Sequence, residues 1–591
     1  MRKTVLLLTL GALAITQPIH AQSLSADGAP QTFHALSEQY LDQVYFKFSP
    51  TLATQSGLHQ YDSQLEDYSA AAIDHQVAAL RDYEKRFDAI DPSAIDAPIA
   101  ADREIVLNNI HSTLLTLETI RPWEKNPDTY SSGITNSIFV IMERKYASAD
   151  TRLQSVVDRE KLMPQVFVEA RKNLKNPPRI YTEIALEQLP GLISFFQNDV
   201  PLAFTDAKDP QIKSDFAKSN AAVIAALQSY QSWMKTDLLP RSNGDFRFGA
   251  DTFQKKLAYD EMVDIPLDRL LQIAYDDLHR NQAAFNALAK QVDPSKTPEQ
   301  VLAELATIHP APDQLLQSFQ GTFNGLITFI RAHHIITIPS DVEPTLEETP
   351  PFMRATTFAS MDPPGPFETH SKTAYFNVTL PERDWTPAHV AEHMASFNVG
   401  TIVSTSVHEA YPGHYVQFLW MPEFPSKIRK VIGANTNIEG WAHYCEQMMM
   451  EQGYDDPGPG ATPAQLREYR LIHLGQLQDA LLRDARFIVA IRMHTGVGGP
   501  LTIPQAEDFF VKEGYQSHSV GEVETKRGTS DATYLYYTLG KLEILKLRED
   551  LKKKQGTAFS LEQFHNNFMR QGFAPVKVIR KAMLGDDSPV L

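Results

Sequence analysis

The chain has one cysteine in 591 residues, Cys445. No internal disulfide can form, so an exported form of this protein must be stabilised by core packing and not by cross-links. That excludes the small stapled secreted modules, and nothing in the sequence around Cys445 would activate it for thiol catalysis. Long apolar runs are absent beyond the N-terminus, so no membrane-spanning helix is expected. Positive charge is scarce: 55 Lys and Arg face 72 Asp and Glu, a formal net charge of −17. Such a chain is a poor partner for nucleic acid or anionic lipid. Fixed-period repeats and low-complexity tracts are also missing.

What is present reads as a folded protein, 43% hydrophobic and 21% charged, and its length suggests two or more domains. The opening "MRKTVLLLTLGALAITQPIHAQS" reads as a secretory signal, with basic Arg2 and Lys3, an apolar stretch from Val5 to Ile15, and cleavage expected after Ala21. Removal of residues 1–21 takes the net charge from −17 to −19. No cysteine adjoins that cleavage point, so a lipid anchor is not expected and a periplasmic location is.

Most of the chain carries helical signals. "SPTLATQSG" places Ser49 and Pro50 at a helix start and Gly57 at its stop; "TPEQVLAELATI" opens with Thr297 and Gln300 spaced as a capping box. "DREIVLNNIHSTLLTLETI" repeats apolar residues at helical spacing. Between about 334 and 385, "HIITIPS" and "TAYFNVTLP" are β-branched and aromatic and flank a proline-rich loop, which predicts a small strand pair. The expected fold is mainly α. A signal peptide (1–21) precedes a helical N-terminal half (22–330) and a C-terminal half (331–591) that carries the polar motifs.

One of those motifs is "SVHEAYPGHYVQ". Zinc peptidases place two histidines four residues apart, about 40° apart in azimuth on a helix. His408 and His414 are six apart, which on an unbroken helix is about 240°. Pro412 would clash with the carbonyl of His408 in a regular helix, and Gly413 tolerates backbone angles that other residues avoid. The pair therefore predicts a break that returns His414 to the same side. Catalytic zinc needs a third protein ligand. Downstream, "NIEGWAHYCEQMMMEQ" puts Glu439, His443 and Glu446 on one helical face. Glu439 is the expected third ligand, and His443 is its rival or a group that orients it. Glu409, beside His408, is the expected general base toward a metal-activated water.

"HEAYPGH", "EGWAHYCEQM", "RFIVAIRMHTG" and "YYTLGKLEILKLR" occur in the order of the bacterial domain-of-unknown-function-885 family, and "PTLATQSGLHQYD" and "REIVLNNI" resemble its N-terminal pattern. That family is similar to helical gluzincin-type zinc metallopeptidases such as thimet oligopeptidase and angiotensin-converting enzyme. The resemblance implies a zincin-like fold with two helical halves around a deep channel, one Zn²⁺ per chain, His408, His414 and Glu439 as ligands, and Glu409 as base. The chain departs from the family pattern at "SDATYLYY", at Ala490 and at His443, where an apolar residue is usual.

Tyr537 matches the family tyrosine and is a candidate oxyanion donor, as is His494; Tyr534 lies one turn before Tyr537. "TAYFNVTLP" is a candidate edge strand for a bound peptide, with Asn377 on the substrate backbone. Arg486 and Arg527 are candidates to pair with a substrate carboxylate. The expected function is a secreted zinc peptidase acting on short peptides. The alternatives are a metal-dependent hydrolase of other amides or esters, and a peptide-binding protein with little turnover.

Overall fold

The computed structural model describes residues 28–350, 353–354, 357–383 and 385–591. The expected signal segment lies outside the described residues. The described chain is mainly helical with one three-stranded sheet, and no helix in it is long and apolar enough to cross a membrane.

Apolar side chains gather in three buried clusters. One is drawn from the bundle between Tyr130 and Leu238. A second joins Phe253–Leu305 to Leu471–Leu539. The third joins Phe33–Leu114 to residues between Leu315 and Leu584. The boundary expected near 330 falls just before the end of the helix Leu315–Ala332, and residues on both sides of it share the third cluster. Sequence-distant segments are therefore knitted together before any site is formed.

Local signals set many of the helix ends. Thr297 and Gln300 form the expected capping box, and Thr462 with Gln465 opens the helix Pro463–Thr495, 33 residues long, in the same way. Near 100, Ile105, Ile110 and Leu114 are buried as the helical spacing requires, in the helix Ala97–Leu115.

The strand pair differs from expectation. "HIITIPS" is not a strand; Ile335 and Ile336 are buried in the third cluster as irregular chain. The sheet is β1 (Thr345–Glu348), β2 (Ala359–Asp362) and β3 (Tyr375–Val378), in the order β1-β3-β2. β3 runs parallel to β1 and antiparallel to β2. It is central because Phe376 and Val378 are fully buried, Phe376 against Phe319 and Phe323. A strand bonded on both sides has no free edge for a ligand, so the edge role expected of "TAYFNVTLP" is corrected. Asn377 is buried and pairs in register with Glu347 and Ser360.

Candidate metal centre

The helix Val399–Glu409 is capped by Asn398, whose side chain accepts from the Gly400 and Thr401 N–H groups. It stops at Glu409, and a new helix starts at His414 and runs to Leu419. At the turn between them Gly413 lies against the carbonyl oxygen of His408, where a Cβ atom would overlap it. The imidazoles of His408 and His414 meet at right angles, centroids 4.8 Å apart.

Glu439 closes the cluster. Its Oε2 lies 3.3 Å from His408 Nε2 and 3.3 Å from His414 Nε2. The Glu439 helix, Asn435–Glu451, is tied to the turn by Trp441, whose indole N–H donates to the Pro412 carbonyl at 3.0 Å. It also crosses the helix Tyr536–Gln555 with Gly440 against Gly540, where a Cβ on Gly440 would come within 2.6 Å of the Gly540 Cα. That close crossing carries Tyr537 to the site.

Behind the cluster lies a carboxylate whose role the sequence reading missed. Glu446 Oε1 accepts from His408 Nδ1 at 2.6 Å and from Arg483 at 3.1 Å. Its Oε2 meets His443 Nδ1 at 3.3 Å and accepts from the Ser404 hydroxyl at 3.4 Å. Burial pushes Glu446 up, but the Arg483 guanidinium and the hydrogen bonds of His408 and His443 outweigh it and hold the acid well below its usual range. Bonding Nδ1 of His408 to Glu446 directs Nε2 toward Glu439. His443 serves Glu446 and does not orient Glu439, which corrects its expected place. Burial lowers His443 to about 3, so it is neutral, and its Nε2 is buried without a partner. The signal for Glu446 was its spacing of seven from Glu439; nothing local marked Arg483, which arrives from a distant helix.

His408 lines a cavity of about 730 Å³ whose walls come from both sides of the seam between the second and third apolar clusters. His408, Glu409, Tyr537 and Phe358 and Ala359 beside β2 line it. Glu409 is 8% exposed and forms no hydrogen bond or ion pair with a described residue. Tyr537 lies nearly parallel to His408, centroids 6.2 Å apart, and its hydroxyl accepts from Arg527 at 3.2 Å.

Other expected residues lie elsewhere or are occupied. His494 is buried, bonded at 2.7 Å to the Gly528 carbonyl and packed by Phe246 and Phe248, and it does not line the cavity. Burial lowers its pKa to about 4. Tyr534 is buried beside Gly528 and also stays out of the cavity. Arg486 and Arg527 do line it, but Arg486 already makes hydrogen bonds of 2.6 and 2.8 Å to Glu524, and Arg527 is paired with Asp531 at 3.1 Å. Pairing either with a substrate carboxylate would require displacing a protein carboxylate.

A family profile described as "Bacterial protein of unknown function (DUF885)" matches residues 50–583. The chain belongs to that family. No curated protein matches it. Among solved structures, "a putative lipoprotein of unknown function" from Shewanella oneidensis is 25% identical with a TM-score of 0.76, covering 94% of this chain and 99% of that one. A "putative lipoprotein" from Colwellia psychrerythraea shares the fold at 18% identity and a TM-score of 0.77, with the same coverage. The resemblance to zinc metallopeptidases gains no support from these relatives, none of which is described as a peptidase.

Proposed function

We propose that this protein is an exported metal-dependent hydrolase of short peptides. The observation that carries the reading is the convergence of His408, His414 and Glu439, with His408 and Glu409, which has no partner among the described residues, lining a cavity. The three donor atoms lie within 4.8 Å of one another. Two nitrogens and one carboxylate oxygen suit zinc, and the 3.3 Å spacings match the roughly 3.4 Å expected between tetrahedral ligands with bonds of about 2.1 Å. His414 Nδ1 is buried without a partner.

A divalent ion held by these residues would polarise a scissile carbonyl and acidify a water molecule. Glu409 takes the proton from the attacking water as the C–O bond forms, then delivers it to the amide nitrogen as the C–N bond breaks. Tyr537, held by Arg527, donates a hydrogen bond to the carbonyl oxygen as it gains charge. β2, an edge strand reaching the cavity through Phe358 and Ala359, is the strand a bound peptide can extend. The lipoprotein descriptions of the relatives fit an extracytoplasmic location. Cys445 is buried within a helix and cannot carry a lipid.

Elemental analysis of the purified protein and digestion of a peptide library, with and without chelator, test the reading. About one zinc per chain and chelator-sensitive cleavage support it. A zinc-loaded protein that cleaves no peptide overturns the peptidase reading.

A further inference from the structure

The charged groups lining the cavity do not balance. Four cations line it, and each already has an anion. Arg483 is bonded to Glu446, Arg486 to Glu524, Arg527 to Asp531, and Lys512 to Asp508 at 2.8 Å. The lining carboxylates left over are Glu299, Glu392, Glu409 and Asp479, and none of them makes a salt bridge with a described residue. Glu299 and Glu392 are exposed, whereas Glu409 is buried and Asp479 is partly buried. A cavity with paired cations and unpaired anions favours a ligand that brings positive charge.

Asp479 is the interior carboxylate that the hydrolytic reading leaves without a role. It sits on the helix Pro463–Thr495, one turn before Arg483, and lines the cavity with His408 and Glu409. It is therefore near the metal cluster without belonging to it. Arg483 forms no ion pair with its carboxylate: one guanidinium nitrogen is on Glu446, and another is on the main-chain carbonyl of Asp479 at 3.0 Å. Burial pushes the Asp479 carboxyl up to about 6, against the pull of the nearby Arg483 guanidinium.

We infer that Asp479 is a substrate-binding residue that receives an ammonium group, making this a site for peptides with a free N-terminus or a basic side chain near the cleaved bond. The inference rests on the hydrolytic reading for the word substrate, but not for binding. An ammonium placed on Asp479 would gain a lining carboxylate that makes no salt bridge with a described residue. The same charge pattern disfavours acidic peptides, whose carboxylates would find every arginine already paired.

The test uses matched peptides: one with a free N-terminus and its acetylated form, and one with lysine and its norleucine counterpart. Binding is measured on the zinc-loaded Glu409→Gln protein, and kcat/KM on the parent. A preference of about tenfold or more for an ammonium-bearing member is expected from a charge-assisted contact, and the pair that shows it identifies the source of the ammonium. Asp479→Asn should bring that ratio toward one with zinc content and Tm retained, while Asp479→Glu should keep most of it. Equal binding of all pairs, or an Asp479→Asn protein with the full preference, overturns the inference. Preferential binding without any cleavage would support it while sinking the hydrolytic reading.

Discussion

Among the described residues two histidines sit between two carboxylates, and only one of them belongs to a candidate metal centre. His59 Nδ1 lies 3.2 Å from Asp62 and its Nε2 lies 2.9 Å from Glu368, with Tyr146 stacked on the ring at 3.6 Å. His408 has Glu446 on one nitrogen and Glu439 on the other. In both, burial lowers the pKa while the carboxylates raise it by more, His408 reaching about 9. The difference lies around them. A phenol covers His59, whereas His414 meets His408 at a shared oxygen and a cavity lies alongside. A doubly paired imidazole is an ion pair by default; a second imidazole converging on the same oxygen is what makes His408 a candidate ligand.

The largest expected effect is on chemistry. Glu409→Gln keeps the shape of the side chain and removes the base, so turnover should fall about 10²–10⁴-fold while zinc stays bound. Full activity in that variant would rule out the mechanism. His414→Ala should remove most of the zinc, since it leaves His408 with the same two-carboxylate surroundings as His59; full occupancy would erase the distinction between the two sites.

Next comes Glu446, which holds the His408 nitrogen that faces away from Glu439. Glu446→Gln should weaken zinc about 10–100-fold in chelator competition. Acid should weaken it too, because the metal must displace the proton that His408 holds up to about 9. Apparent affinity should therefore rise by about tenfold per pH unit from 6 toward 9, and a flat profile would show that His408 is not a ligand.

Gly540→Ala probes how the Glu439 and Tyr537 helices meet. The added methyl has no room against the Thr436 carbonyl, and a loss of about 1–3 kcal/mol is expected in denaturant unfolding. The smallest effect belongs to His59. Its folded pKa lies above the unfolded value of about 6.5, so its contribution is fully present below that pH and is lost as pH rises through the folded value. Partial exposure of the ring keeps it at about 1 kcal/mol or less. The slope of Tm against pH should flatten in His59→Gln; an unchanged slope would show that the paired proton contributes nothing.

Features governed by near neighbours were legible beforehand. The capping box at Thr297 and the break at Pro412 and Gly413 that returns His414 depend on residues a few positions apart. Features governed by a partner from elsewhere were not. An arginine such as Arg486 reads as available until Glu524 meets it, and His494 reads as a donor until Gly528 takes its nitrogen. Asn377 looked accessible because its strand was read as one of a pair, and β1, built from "TLEE", lacked the β-branched pattern that marks strands.

By itself the sequence determined the mainly helical character, the break between His408 and His414, and the offer of Glu439 from a downstream helix, because helix periodicity and the backbone limits of proline and glycine act locally. The tertiary structure alone decided that Glu446 and Arg483 stand behind His408, that β3 is central, and which cavity charges stay unpaired. Those outcomes depend on which buried charges meet across the fold, and a charge out of water takes whatever partner the packing brings to it.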